Sequence, residues 1–467
     1  MNAKDRRIAE LEALLQAALE KIARLEARIA VLEKNSSNSS KPPSSDIVKP
    51  PKPRNDKQRR RKIGAQKGHQ QHLRQPFPAE QVDQTIDITL EACPKCGGTL
   101  QADHAPPKKF QQVELVEKPY IVTEYQLHQY WCEQCQCHHE SKLPTEVRRA
   151  GLFGPRLLAT TSYLKGRSHM SYTTLRDFYR DAFHLKVSTG FLAKQVRKVS
   201  DALKQPYETL VAKLPEEEHL HSDETGGKEN GKKRWTWCFR AKDYTVFHVC
   251  SSRGSAVLEE HLGNDYSGII SSDFFSAYRK FQRLSQSGFQ YCWSHVIREV
   301  KYFASYPVKK VSRWGGRLLA EIRKMFRVFH RLEEFRLAQD VKSEQRWLRK
   351  LHACKESLLW SAWYRLPAHK DVCTLAERLW NCQEDYFRFM ESGVPPTNNL
   401  CEQSIRRVVI DRKITQGTRS DWGNRWSERI WTILATCDQR RENVMECLQA
   451  WVQTWLQGYS PPERKKP

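Results

Sequence analysis

The stretch GIISSDFFSAY, residues 268–278, decides how the middle of this chain folds. Gly268, Ile269 and Ile270 form the apolar run of a short buried strand, and Asp273 stands at its end. An acid in that position either caps the helix that follows or supplies half of a metal site. Only a second acid elsewhere separates the two readings. The segment HLHSDETGGKENGKKRWTWCFRAKDYTVFHV, residues 219–249, offers Asp223 on a short run followed by a Gly-rich turn. Two further runs, Arg234–Phe239 and Tyr244–Val249, are rich in aromatic and β-branched residues, so the segment predicts a three-stranded meander.

Ser255–Leu262 has the composition of a helix before the Gly268–Ser272 strand, and Phe289–Trp293 supplies another strand. The resulting β-β-β-α-β order predicts a ribonuclease-H-like core within an α/β multi-domain chain. In that order the first and fourth strands are neighbours, so Asp223 and Asp273 meet. Two carboxylates hold Mg²⁺ (or Mn²⁺), and a two-metal phosphoryl-transfer site ordinarily recruits a third. Glu402 is the candidate, on a helix that starts after Pro395-Pro396-Thr-Asn398-Asn399 and places Glu402, Arg406, Val409 and Lys413 on one side. Asn399 with Glu402 is also a capping box, in which the glutamate only satisfies backbone N–H groups. The flanking Arg406, Arg407, Arg412 and Lys413 favour a carboxylate that faces metal and a phosphate backbone.

The bulk composition agrees. The 467-residue chain carries a net charge of +24, from 78 Lys and Arg against 54 Asp and Glu. So positive a surface attracts a polyanion, and the many aromatic residues among the cations suit base stacking, which makes nucleic acid the leading partner. No apolar run approaches the length of a membrane span and the N-terminus is charged from Lys4 onward, so the expected location is cytoplasmic, at the nucleoid. Fourteen cysteines there read as metal ligands where closely spaced and as core residues elsewhere.

The N-terminal third divides into modules. Ile8, Leu11, Leu15, Ala18, Ile22, Leu25, Ile29 and Leu32 recur at alternating steps of three and four, the seam of a dimeric coiled coil over 1–34. Residues 35–80 are a disordered linker and a basic arm with Arg59, Arg60, Arg61, Lys62 and Lys67 as candidate phosphate contacts. Over 81–147, Cys93-Pro-Lys-Cys96 and Cys132-Glu-Gln-Cys135 predict a zinc ribbon with a structural Zn²⁺, its hairpin strands drawn from the alternating stretch Phe110–Trp131. Cys137, His138 and His139 are alternatives to Cys135 as the last ligand. A helical block follows over 148–205, whose spacing permits a helix-turn-helix with Lys194, Arg197 and Lys198 outward. The core then occupies 206–300 and 395–440, split by a helical insertion over 301–394, and a C-terminal helix and tail cover 441–467. His295 lies at the end of the last strand and is an auxiliary candidate beside Glu402.

Taken with their order, the stretches NSSNSSKPPSSD (35–46), FGPRLLATTSYLK (153–165), SDETGG (222–227), SSDFFSAY (271–278), CWSHVIRE (292–299) and NNLCEQSIRRVVIDRK (398–413) resemble the transposases of the insertion sequence 66 family, in the larger DDE group. The resemblance implies that Asp223, Asp273 and Glu402 are the catalytic triad and that the ribbon and basic arm bind DNA. It also implies that the substrates are the element's own terminal inverted repeats and target DNA, with accessory proteins of the same element as further partners. Gln403, Arg407 and Ile414 depart from that family's pattern. The rival readings are a non-catalytic zinc-dependent DNA-binding regulator and a plain DNA nuclease.

Overall fold

The computed structural model describes residues 3–32, 76–88, 90, 95, 109–113, 115–116, 119–391 and 393–458. The chain divides into two compact units, Pro51–Glu124 and the remainder, Met1–Pro50 with Tyr125–Pro467. Within the smaller unit the Gln111 side chain clasps the backbone of Phe77 through two hydrogen bonds of 2.7 and 2.9 Å. The basic-arm residues Arg59, Arg60, Arg61, Lys62 and Lys67, together with Cys93 and Cys96, lie outside the described residues.

The larger unit begins with helix α1 (Ala3–Leu32), along which Ile8, Leu11, Leu15, Ile22, Leu25 and Ile29 are each more than half exposed. A hairpin of β1 (Gln129–Cys132) and β2 (Cys137–Glu140) follows, paired from Gln129 with Glu140 to Cys132 with Cys137. The strands expected along Phe110–Trp131 therefore begin only at Gln129; the described residues before it form no strand. Val113, Leu115, Val116, Ile121 and Val122 alternate in sequence yet stay exposed, so no buried face holds a ladder together.

Helices α2 (Thr145–Ala150), α3 (Pro155–Gly166), α4 (Tyr172–Phe183), α5 (Thr189–Ala202) and α6 (Lys204–Ala212) lead into the sheet. Ser171 and Ser188 cap α4 and α5 through their hydroxyls. The sheet comprises β3 (His219–Glu229), β4 (Lys232–Arg240), β5 (Thr245–Cys250), β6 (Ile269–Ser272) and β7 (Gly288–Tyr291) in the order β5-β4-β3-β6-β7. β3, β4 and β5 are antiparallel neighbours, while β6 runs parallel to both β3 and β7. Gly226 and Gly227, read from sequence as a turn, are instead paired inside β3 with Trp235 and Arg234. The turn lies at Asn230-Gly231, both at positive φ (46° and 79°), the two-residue hairpin geometry that Asn-Gly prefers.

Helix α7 (Ala256–Leu262) crosses between β5 and β6, and α8 (Ser276–Leu284) between β6 and β7. After β7 come α9 (Trp293–Ala304), α10 (Lys309–Leu337), α11 (Val341–Trp363), α12 (Lys370–Asn381), α13 (Gln383–Phe387), α14 (Asn399–Thr415), α15 (Asp421–Arg440) and α16 (Val444–Gln457). Strand β7 ends before Cys292 and Trp293, which open α9 rather than close a strand.

Each face of the sheet is covered by helices. Leu220, Trp237, Phe239, Val246, Ile270 and Phe289 bury one face with α7–α13, so the long segment after β7 shares the core's apolar cluster. Cys238, Phe247 and Val249 bury the other face with α3–α5 and α14–α16. The helical stretch 148–205 accordingly does not bury its apolar residues within itself; Leu158, Leu192 and Val196 share one cluster with Ile430, Leu448 and Val452.

Helix α14 is pinned to β3 at both ends. At its start the buried Asn398 side chain donates to the Ser222 carbonyl (2.7 Å) and meets His221 Nδ1 (3.0 Å). Beyond its end, Thr418 N–H donates to the Lys228 carbonyl (2.9 Å) and the Asn230 N–H to the Thr418 carbonyl (2.8 Å). Gly417 makes the second pin possible: it sits at φ +97°, and a Cβ there would collide with the Lys228 carbonyl. Gly417→Ala is expected to cost about 1–3 kcal/mol, whereas Gly316→Ala, in open space within α10, is neutral or stabilising. Urea unfolding midpoints of the two variants check the contrast.

Candidate active site and metal centres

Alternation along β3 sorts its side chains between the two faces of the sheet. His221 and Asp223 share the face that α14 covers, and Ser222 and Glu224 point the other way, toward Tyr278 of α8. The parallel register pairs His219 with Ile269, Leu220 with Ile270 and His221 with Ser271. Continued two residues further, it sets Asp223 beside Asp273. Glu402, in the first turn of α14, completes the group from above the same face.

The electrostatics record that proximity. Burial, then the charges of Glu224, Asp273 and Glu402, drive the Asp223 carboxyl well above the ordinary range. Burial raises Asp273 too, with Glu402 adding to it, against His295, Arg253 and a hydrogen bond from the Phe275 N–H (3.1 Å). Burial also acts to raise Glu402, but His295 and Arg298 outweigh it and hold its pKa below the usual value. His295 Nε2 stands 3.3 Å from Glu402 Oε1 and Arg298 Nη2 stands 3.8 Å from it. The three partly buried carboxylates lie close enough to act on one another's charge, although Glu402 is grouped most tightly with His295 and Cys292. They supply hard oxygen ligands, and a divalent cation among them relieves the repulsion that adds to burial in raising Asp223. The residues present therefore fit Mg²⁺ or Mn²⁺.

The capping-box alternative for Glu402 is not realised, since its carboxylate faces α9 and the Asn399 side chain accepts from the Ser294 hydroxyl (3.1 Å) instead. Cys292 is pushed up by burial and accepts the Asn398 N–H at 3.1 Å, as a neutral core thiol does.

Several sequence-predicted phosphate contacts are committed elsewhere. Arg407 pairs with Asp438, which also takes Arg167 (2.6 Å), and Arg412 donates to the Thr225 hydroxyl (3.1 Å). Lys198, expected on the outer face of α5, turns back to the Ala150 carbonyl (2.8 Å). Each is engaged by a carbonyl, hydroxyl or carboxylate of the fold itself. Lys194, Arg197, Arg406 and Lys413 are exposed.

Sequence reasoning missed Glu224, Arg253, Tyr278, Arg298 and Asn398 as parts of this neighbourhood. Glu224 and Tyr278 lie inside the quoted motifs SDETGG and SSDFFSAY, but nothing in the strand pattern says that they meet. Glu224 is buried, and burial with the nearby Asp273 charge pushes its carboxyl up to about 7, against Arg253 and Tyr278.

A second cluster lies in the β1–β2 hairpin. The ligand atoms of Cys132, Cys135 and His139 fall within 4.8 Å of one another, with Cys135 Sγ 3.2 Å from His139 Nε2. The Cys135 backbone and thiol, then the Gln134 N–H, stabilise the Cys132 thiolate, so its pKa is lowered toward the form that binds metal.

The sequence profile of the transposase IS66 family matches residues 150–425, a span that holds all three acids. This chain belongs to that family. The profile of the zinc-finger binding domain of IS66 transposases matches residues 91–136, and a family of unknown function matches residues 2–75. The uncharacterized protein y4hP of Sinorhizobium fredii is 20% identical over 395 residues, covering 78% of this chain and 71% of its own length. Membership makes this transposase a DNA-processing enzyme with DNA as its partner, and the zinc-finger match with the hairpin cluster supports a structural zinc. No described helix is long and apolar enough to cross a membrane.

Purified transposase is expected to retain zinc, and Cys132→Ser to lose it, because two of the clustered donors cannot close a tetrahedral site. Atomic absorption on dialysed protein measures the metal content of both.

Proposed function

We propose that this transposase is of the DDE type, cutting the ends of its insertion element and joining them to target DNA by phosphoryl transfer at Asp223, Asp273 and Glu402. The observation that carries the reading is the convergence of these three acids on one face, from a strand, a strand end and a distant helix. The sheet order, third-second-first-fourth-fifth strand with only the second antiparallel to both neighbours, supports a ribonuclease-H-like core.

In this reading Asp223, Asp273 and Glu402 hold Mg²⁺ or Mn²⁺, which supplies Lewis-acid activation of the attacking oxygen and neutralises the leaving one. His295 and Arg298 orient the Glu402 carboxylate. Asn398 fixes the height of that helix over β3. Exposed Arg406 and Lys413 on the same helix contact backbone phosphates. Cys93 and Cys96 join Cys132 and Cys135 in a zinc ribbon that binds the terminal repeats with the basic arm. The exposed apolar seam of α1 pairs two protomers, so that two element ends are held together. Accessory proteins of the element remain further partners in the same scheme.

The test incubates the protein with Mg²⁺ and duplex DNA taken from the sequence flanking its gene. Strand joining is the expected product; cleavage alone reassigns the protein as a nuclease, and binding alone as a regulator. Asp223→Asn is expected to bind the same DNA within about twofold and to cut at least about 10³-fold more slowly, the size of losing several kcal/mol of transition-state stabilisation. Gel-shift and single-turnover cleavage assays read the two quantities.

A further inference from the structure

On the sheet face opposite the three acids, Glu224 gives up nearly all its hydration: its side chain is 1% exposed. Its carboxylate accepts from Arg253 Nε (2.8 Å) and from the Tyr278 hydroxyl (2.8 Å), and Arg253 Nη2 stands 2.7 Å from the oxygen that Nε engages. Arg253 is not buried with it and keeps 39% of its side-chain surface open. Its guanidinium lies over the Phe275 ring at 3.9 Å and over the Trp235 ring at 4.5 Å, and Lys233 stands 4.7 Å from the centre of Trp235. Phe275 in turn donates its N–H to Asp273.

We propose that Arg253, gripped from beneath by Glu224 and held between Trp235 and Phe275, is a docking point for one backbone phosphate of the DNA strand that enters the site. The inference rests on the reading of Asp273 as a metal-binding acid and adds a substrate contact to it.

The geometry favours a ligand over an ordinary ion pair. A guanidinium has five N–H donors in a rigid fork. Glu224 engages the Nε and Nη2 side, and the Nη1 edge has no hydrogen bond among the described residues. Two aromatic faces remove the rotamer freedom that a surface arginine would lose on binding, so the outward edge is pre-organised for a phosphate's paired oxygens. Phe275, whose ring the guanidinium covers, donates its N–H to the Asp273 carboxylate (3.1 Å), so the arginine is tied to the strand end that carries Asp273 rather than to a remote surface. Alternating cations and rings, Lys233, Trp235, Arg253 and Phe275, line the approach and suit a strand of stacked bases and phosphates. Glu224 is a positioning residue in this arrangement and touches no substrate.

The test is a methylphosphonate scan, in which single phosphates of a duplex from the gene's flanking DNA are neutralised one at a time. Binding to the full chain is measured with Ca²⁺ as the only added divalent ion. Wild type is expected to lose about tenfold in affinity at one or two adjacent phosphates. In Arg253→Lys, which keeps the charge opposite Glu224 but not the fork, the same substitutions are expected to cost less than about threefold. The paired variant Glu224→Gln with Arg253→Met, which leaves no unpaired buried charge, is expected to show no loss at those positions. A scan profile identical in wild type and both variants overturns the inference. Cleavage with Mn²⁺ is read in parallel. If the scan responds to Arg253 but wild type and Asp223→Asn cut equally or not at all, the assignment of the acids fails and the phosphate site stands. If Asp223→Asn alone loses cleavage while the scans coincide, the acids stand and this site falls.

Discussion

The parallel pairing of β3 with β6 is the constraint on which the rest of the site depends. Its register brings Asp223 and Asp273 side by side at the point where the pairing ends, so two carboxylates share one face in a poorly solvated cleft. Such an arrangement is costly without a counter-charge: burial first, then the charges of Glu224, Asp273 and Glu402, push the Asp223 carboxyl up. One residue of slip would send Asp223 to the face that Glu224 now occupies. The uninterrupted antiparallel ladder from His221–Arg240 to Glu229–Lys232 holds β3 against such a slip, and the Asn230-Gly231 turn sets the register of that ladder.

The glutamate helix depends on the same strand. Asn398, which as a helix-capping residue would satisfy the first turn of α14, spends its side chain on His221 and the Ser222 carbonyl instead. Gly417 and Thr418 lock the other end to the tip of β3. Glu402 is thus held over Asp223 by two anchors on one strand, and the His295 imidazole and Arg298 guanidinium of α9 beside its carboxylate hold its pKa below the usual value against burial.

Charge is divided by role. Arg407, Arg412 and Lys198 complete internal hydrogen bonds, and Arg253 pairs with the buried Glu224 while its own outer edge remains open. The strongly positive net charge therefore overstates the cations available to a polyanion, although Lys194, Arg197, Arg406 and Lys413 are on the surface. On α1 the described seam residues Ile8, Leu11, Leu15, Ile22, Leu25 and Ile29 lie exposed, an apolar stripe along an amphipathic helix.

Much of the site was legible in the chain because it follows from local pattern. Apolar runs that end in an acid, a helix that starts after paired prolines and asparagines, and two CxxC pairs are each properties of a few consecutive residues. The aromatic and β-branched runs of β4 and β5 likewise announced their strands. Other features belong to pairs of residues far apart in sequence, and only the tertiary structure decides them. The two glycines after Asp223 read as a turn, yet β4 supplies hydrogen bonds that carry the strand through them. The apolar alternation before Gln129 reads as a hairpin but finds no face to bury. Whether Glu402 caps its own helix or faces the aspartates depends on where α9 brings His295, and whether an arginine is free depends on which buried acid or carbonyl lies opposite. Composition and periodicity report what a segment prefers by itself; burial and like-charge repulsion depend on what surrounds it, which no single stretch contains.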